Sequence, residues 1–283
     1  MKLLTWNVQW FLGLDGVVDV ARVVNHARSL CDFDVLCLQE VSVHLKDLKG
    51  GGDFDQAAEV AELLPDHEVI FTPCVDYRHS SQGPRQRFGN LVATRLPALM
   101  VESHLLPSIR EAEVPSVRRV CTSLLLQAAS GPLTVMNTHL EYHSAAQRAM
   151  QAQRILEVHR ENVDLVCTNV AAEPMTGLYR GRPRSPRTVL CGDFNFSPCS
   201  SEYRSLTRGV GPHALRDVFT VLHGTANRPP TFGCYDKTYA RQPIACDHVF
   251  VSADLASLAR HVRVDGAIKL SDHQPVYVEL DRL

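Results

Sequence analysis

The chain has 283 residues, 45% hydrophobic and 21% charged, with a net charge of -2 and a pI near 6.7. These proportions are ordinary for a globular protein, and the charge balance excludes the global positive field of a tight nonspecific nucleic-acid binder. No run of 18 apolar residues occurs, so no membrane-spanning segment is expected.

Residues 3–6 read as a strand that delivers Asn7 and then Gln9 at its end. Residues 17–30 carry Val20, Val23, Val24, Ala27 and Leu30 on one face of a helix. Val35-Leu36-Cys37-Leu38 is a buried strand ending in Gln39-Glu40. Asp55 is placed to cap a second helix through Leu64, which Pro65 stops. Strands follow near 68–72, 90–94 and 98–104, and the aperiodic stretch 77–88 with Arg78, Arg85 and Arg87 reads as a flexible loop or a surface excursion. Residues 119–127 and 133–137 flank Ser130-Gly131-Pro132 as a hairpin whose second strand delivers Thr138-His139-Leu140. Ser144 caps a long helix containing Met150, Ile155 and Leu156. Four arginines and two prolines in 180–187 read as a solvated loop ahead of a phosphate clamp. Val189-Leu190-Cys191 is a buried strand, and Gly192 lets the chain turn out of the sheet into Asp193-Phe194-Asn195. A strand follows Cys246-Asp247, and Ser271-Asp272-His273 leads into the alternating last strand, 274–280. No repeat or linker divides the chain, which is expected to form one domain, 1–283.

Nine cysteines, scattered and without a CxxC, suit reduced thiols, with Cys37 and Cys191 in the core. Asn7 and Gln9 interrupt any apolar signal core, so a cytoplasmic location is expected. His139 and His143 are four apart, but His139 ends a strand, so helical zinc-pair spacing does not apply. Polar residues are common where strands stop. Taken together, however, Asn7, Glu40, His139, Asp193, Asn195, Asp272 and His273 on converging strand ends point to metal-assisted phosphate chemistry.

In that order, Trp6-Asn7, Gln39-Glu40, Thr138-His139-Leu140, Gly192-Asp193-Phe194-Asn195 and Ser271-Asp272-His273 resemble the endonuclease/exonuclease/phosphatase superfamily. That group includes DNase I, exonuclease III, the apurinic endonucleases, neutral sphingomyelinases and inositol polyphosphate 5-phosphatases. The resemblance runs from residue 3 to residue 280. It implies an α/β fold, a four-layer α/β/β/α sandwich of two packed mixed sheets with helices outside, and phosphoester hydrolysis dependent on Mg²⁺ or Mn²⁺. By resemblance, Glu40 is the principal metal ligand, Asn7 the neutral oxygen beside it, and Asp272 adds a water-mediated metal contact. Gln9 stands where many nuclease relatives carry an acid, a departure that weakens the site or shifts it toward a single metal.

Further along the chain, the resemblance implies that His273 contacts the scissile phosphate or moves a proton, with Asp247 orienting its imidazole. Asp193 would orient or deprotonate the attacking water, Asn195 would hold the phosphate, and His139 is a candidate acid for the leaving group. Thr138-His139-Leu140-Glu141 with Arg148 and Gln151 looks like the branch containing tyrosyl-DNA phosphodiesterases, sphingomyelinases and DNase-I-like bacterial proteins. Phe232 would either stack on a base or seal the core. The leading expectation is a monomeric phosphodiesterase or nuclease acting on nucleic acid without a membrane partner. The alternatives are an enzyme for lipid or inositol headgroups and a catalytically silent RNA-binding regulator. The intact Glu40, Asp193, Asn195, Asp247 and His273 set argues against silence.

Overall fold

The computed structural model describes residues 1–167, 182–224 and 228–283. Its first sheet contains β1 (Lys2–Asn7), β2 (Val35–Val43), β3 (Glu68–Tyr77), β4 (Gln86–Thr94), β11 (Ala259–Val264) and β12 (Val276–Leu280). The second contains β5 (Ala98–Leu105), β6 (Val120–Ala128), β7 (Gly131–His139), β8 (Thr188–Asp193), β9 (Leu215–Asp217) and β10 (Asp247–Ser252). Their strand orders are β11-β12-β1-β2-β4-β3 and β5-β6-β7-β8-β10-β9. Both sheets are mixed: β1 runs parallel to β2 and β7 parallel to β8, while β12 and β10 return antiparallel beside them.

The two-residue alternation of a strand builds the layers. Leu3, Val35 and Cys37 face the second sheet, where Val135, Val189, Cys191 and Val249 complete a dry inter-sheet core. Their neighbours Leu4, Trp6, Leu36 and Leu38 face outward against Val20, Val23, Val24 and Ala27 of α1 (Val20–Leu30) and Val60 of α2 (Gln56–Leu63). On the far side, Met136, Leu190 and Phe250 are covered by Ile155 and Val158 of α3 (Ala145–Cys167) and by Leu206 of α4 (Ser201–Thr207). Each fully buried large side chain contributes about 1.5–3 kcal/mol. The result is the expected four-layer α/β/β/α sandwich.

The first helix begins at Val20, three residues later than the apolar pattern, because the Asp19 side chain accepts from Arg22 N and caps it there (2.8 Å). Asp55 caps α2 through Ala58 N (3.0 Å), and Ser144 receives Gln147 N (3.1 Å) at the start of α3. Within the stretch 77–88, residues 78–85 form the loop of a hairpin, and β3 and β4 reach its ends, pairing Tyr77 with Gln86 and Asp76 with Arg87. Arg85 holds Asp76 (2.7 Å), and Arg87 lies over the Phe71 ring. Among the described residues, no helix is long and apolar enough to cross a membrane.

Candidate active site

The carboxyl ends of β1, β7 and β8, the irregular point within β2 and the segment leading into β12 open onto one cavity of about 170 Å³. Strand register supplies the first row of groups. His139, Asp193 and Asp247 stand opposite one another across β7, β8 and β10. Gly192 makes this row possible: its φ is +135°, and a Cβ there would fall on the Thr138 carbonyl oxygen of the paired strand.

Glu40 reaches the cavity through a break in the β2–β4 ladder. The register shifts between Leu38 and Val41, and Glu40 takes a left-handed φ of 63°, which re-aims its side chain as bulges do. Its carboxylate accepts from Asn7 Nδ2 (3.2 Å) and lies 3.9 Å from His139 Nδ1. Burial raises its pKa, against the opposing influence of Asn7, His273 and Arg119. Asp272, also lining the cavity, is raised to about 6 by burial, with His273 opposing and Glu40 reinforcing. Among the described residues, no lysine or arginine forms an ion pair with Glu40 or Asp272. Two hard carboxylate oxygen donors with no lysine or arginine ion pair fit Mg²⁺ or Mn²⁺.

The Asn7 amide nitrogen donates to both Glu40 and Asp193 (3.0 Å), while its oxygen accepts from Gln9 N (3.1 Å). That oxygen keeps a second lone pair, and the nitrogen clamps the two carboxylates together. Just beyond it, Gln9, Trp10 and Phe11 form a turn with φ values of 45°, 44° and 61°. Left-handed conformation costs roughly 1–2 kcal/mol per non-glycine residue, so this turn is strained. Phe11 buried in the core, and Gln56 Nε2 on the Trp10 carbonyl (2.8 Å), hold it in place.

The opposite pole is built on His273. Ser271 Oγ donates to Asn7 O (2.7 Å), and the Trp6 indole donates to His273 O (3.0 Å), so the segment is tied to β1. Nδ1 of His273 lies 2.9 Å from Asp247 Oδ2, and Nε2 lies 3.6 Å from Asp193 Oδ2. Burial alone would lower its pKa, but Asp247 and Asp193 override it and raise the imidazole well above its ordinary range. His273 is therefore a cation. Burial raises Asp193 to about 6, with His273 and Asn7 opposing. His139 is pushed well below its ordinary pKa by burial, then by Arg119 and His273, and is neutral. Its Nε2 lies 3.1 Å from Asn195 Nδ2 and 3.3 Å from Asp193 Oδ2.

Asn195, with a left-handed φ of 52°, also gives its amide to Leu140 O (3.0 Å). Both its N–H groups are spent within the protein. Asn195 thereby stands beside His139 in the lining of the cavity.

Asp193, Cys246, Asp247 and His273 offer ligand atoms within 4.8 Å of one another, a group able to hold a metal. Their closeness has another cause, since the His273–Asp247 hydrogen bond already occupies Nδ1, and a protonated imidazole has no lone pair to give. Glu40 and Asp272 are the better-matched pair.

Phe232 stacks on the His273 ring (centroids 4.5 Å apart) and is almost wholly buried, so it seals the histidine more than it offers a face. Arg119 was missed as a site residue. The hairpin about Gly131 pairs Cys121 with Thr138, which puts Arg119 at the His139 end, where it lines the cavity 3.7 Å from the buried Glu141. Two of the described arginines of 182–187 are engaged elsewhere. Arg184 pairs with Glu102 (2.6 Å) and Arg187 bonds Ser130 Oγ (3.0 Å), both ahead of β8. A six-residue strand, roughly 17 Å long, separates that end from Asp193. Arg180 lies outside the described residues.

The sequence profile of the Endonuclease/Exonuclease/phosphatase family matches residues 4–273. The chain belongs to that family. Its members are phosphoester hydrolases. Solved structures agree on the fold. An endonuclease/exonuclease/phosphatase from Bacteroides vulgatus superposes with a TM-score of 0.70 at 18% identity, covering 99% of this chain and 98% of that one. A family protein from Beutenbergia cavernae gives a TM-score of 0.67 at 21% identity, over 99% of this chain and 71% of that one. TDP2 of D. rerio, complexed with a single strand DNA product, gives 0.66 at 17% identity over 98% and 97%. Among curated protein sequences, none matches this chain significantly.

Proposed function

We propose that this chain is a divalent-metal-dependent phosphodiesterase that hydrolyses phosphoester bonds in nucleic acid, as a monomer with residues 1–283 forming one domain. The observation that carries the reading is one cavity joining a carboxylate pair, Glu40 and Asp272, to a His273 cation held by Asp247 and Asp193. Glu40 and Asp272 would hold Mg²⁺ or Mn²⁺, which when bound neutralises charge on the phosphoryl and leaving oxygens.

The remaining work falls to the chain's own groups. Asp193 Oδ2 accepts the proton of the attacking water, and an acidity near neutrality suits a base that must later release it. His273 donates from Nε2 to a phosphoryl oxygen, while Asp247 fixes the proton on Nδ1. His139 acts as a hydrogen-bond donor toward the leaving oxygen, its ring positioned by Asn195 Nδ2 at 3.1 Å. Arg119 adds fixed positive charge at the rim. Support for nucleic acid as substrate comes from the TDP2 structure with its DNA product, which shares the fold.

A substrate panel tests the assignment. With Mg²⁺ or Mn²⁺, the enzyme should hydrolyse bis-p-nitrophenyl phosphate faster than p-nitrophenyl phosphate, and cleave oligonucleotides. Hydrolysis of phosphoinositides or sphingomyelin with no action on any nucleic acid would overturn the substrate while leaving the metal chemistry standing.

A further inference from the structure

Beside the catalytic cavity lies a larger one of about 590 Å³, and the two share Gln9, Trp10 and Tyr239. One wall is the strained turn at residues 9–11. The other is a tongue, residues 233–243, closed at its base by paired hydrogen bonds between Phe232 and Ile244 (both 3.0 Å). Phe232 rests on His273, so the tongue springs from the catalytic histidine.

The groove is rich in aromatic groups. Trp10 forms the partition between the two cavities, its indole nitrogen anchored on Lys49 O (2.9 Å). Opposite it, Tyr235 and Tyr239 are 43% and 58% exposed, a large outlay of aromatic surface beside a reactive site. Tyr239 is held through its carbonyl by Tyr142 Oη (2.5 Å), and Tyr235 through its hydroxyl on Gly266 O (2.8 Å). Lys269 lies 5.0 Å above the Tyr235 ring, and Lys49 lines the groove. Two acids are present as well. Asp236 is engaged by Thr238 N and Oγ1 (2.8 and 2.6 Å), and Asp47 by His79 (3.3 Å).

We propose that this groove is a stacking subsite for an unpaired nucleobase adjoining the scissile phosphate, so that single-stranded or frayed nucleic acid is the substrate form. The inference rests on the phosphodiesterase reading above and deepens it. Rigid rings with polar tips give sequence-tolerant base stacking, and neighbouring lysines neutralise a phosphate backbone locally in a chain whose net charge is -2. The strained turn carries its indole at the rim that the two cavities share.

The chain has two tryptophans, and Trp6 is fully buried, so quenchable emission reports Trp10. In the slow Glu40→Gln background, a single-stranded oligonucleotide should quench that emission. An abasic oligomer of equal length and charge should not, and the quench should vanish in Trp10→Phe. For turnover, thymidine 5′-p-nitrophenyl phosphate is compared with methyl p-nitrophenyl phosphate, which shares the leaving group but lacks the base. Trp10→Ala and Tyr239→Ala should each lower the ratio of the two kcat/KM values by roughly 5- to 150-fold, the scale of one base stack. Equal quenching by the abasic oligomer with unchanged ratios in both variants overturns the subsite, as does quenching by lysolipid alone. If wild type hydrolyses neither diester, the phosphodiesterase reading fails, and the fluorescence titration still decides the groove.

Discussion

His248 gives a stability prediction that can be worked through from its surroundings. Its ring is buried beside the Asp193–Asn195 turn, stacked on Phe196 at 5.4 Å. Nε2 donates to Phe196 O (2.9 Å), and Nδ1 lies 2.6 Å from Arg228 Nη1, a donor that requires an unprotonated partner. Burial, reinforced by Arg228 and opposed by Asp217, lowers the imidazole to about 4 from an ordinary 6.5. The folded value lies below the unfolded one, so the unfolded chain binds more protons between them. The stabilisation is therefore complete above pH 6.5 and is lost as the pH falls toward 4. At ~1.36 kcal/mol per pH unit the full window is about 3 kcal/mol, of which about 2 kcal/mol is gone by pH 5. Asp193 and Asp272, raised to about 6, act in the opposite sense and gain stability as the pH falls through that value. The clean quantity is thus a difference. Urea unfolding of wild type and His248→Gln at pH 7.5 and 5.0 should show the variant weaker at pH 7.5 but losing about 2 kcal/mol less on acidification. Equal losses in both proteins would refute a neutral, buried His248.

Asp247→Asn should remove the anion that keeps His273 charged, lowering activity and moving the alkaline limb of the pH–rate profile to lower pH; an unmoved limb would deny His273 its cationic role. His273→Ala should cost roughly 10²–10⁴ in rate, read under single-turnover conditions. Gly192→Ala should abolish soluble folded protein, because neither the φ of +135° nor the Thr138 carbonyl admits a Cβ; circular dichroism of any purified material checks this. Arg184→Ala should leave turnover and its salt dependence unchanged while lowering stability modestly, since the side chain serves Glu102 and Asn162 at the far end of β8.

The layers were legible because they follow from alternation: Leu3 inward and Leu4 outward on β1 already assign the two faces. The strand ends were legible too, since Gly192 and the Ser130-Gly131-Pro132 hairpin fix local geometry within a few residues. Other features depend on partners distant in sequence. Asn7 turns its nitrogen toward Asp193, 186 residues away, and nothing local dictates which way an amide faces. The bulge at Glu40 carries no glycine to announce it, and the left-handed turn at residues 9–11 is imposed by packing against local preference. The same holds for Gln39, whose side chain crosses the inter-sheet core to Asn137 Oδ1 (2.8 Å) and braces the floor of the site. The preference for a surface loop over a phosphate clamp fits Arg184 and Arg187: β8 points its carboxyl end at the cavity, so these residues ahead of it lie at the other end.

Turnover should depend on a divalent cation held through the Glu40 carboxylate, which is read by titrating bis-p-nitrophenyl phosphate hydrolysis with Mn²⁺ in wild type and in Glu40→Gln. Wild type should show saturable activation and abolition by excess EDTA, and the variant at least a ~100-fold lower rate with a weakened Mn²⁺ midpoint. Full activity of the variant, or of wild type in excess EDTA, would contradict that dependence.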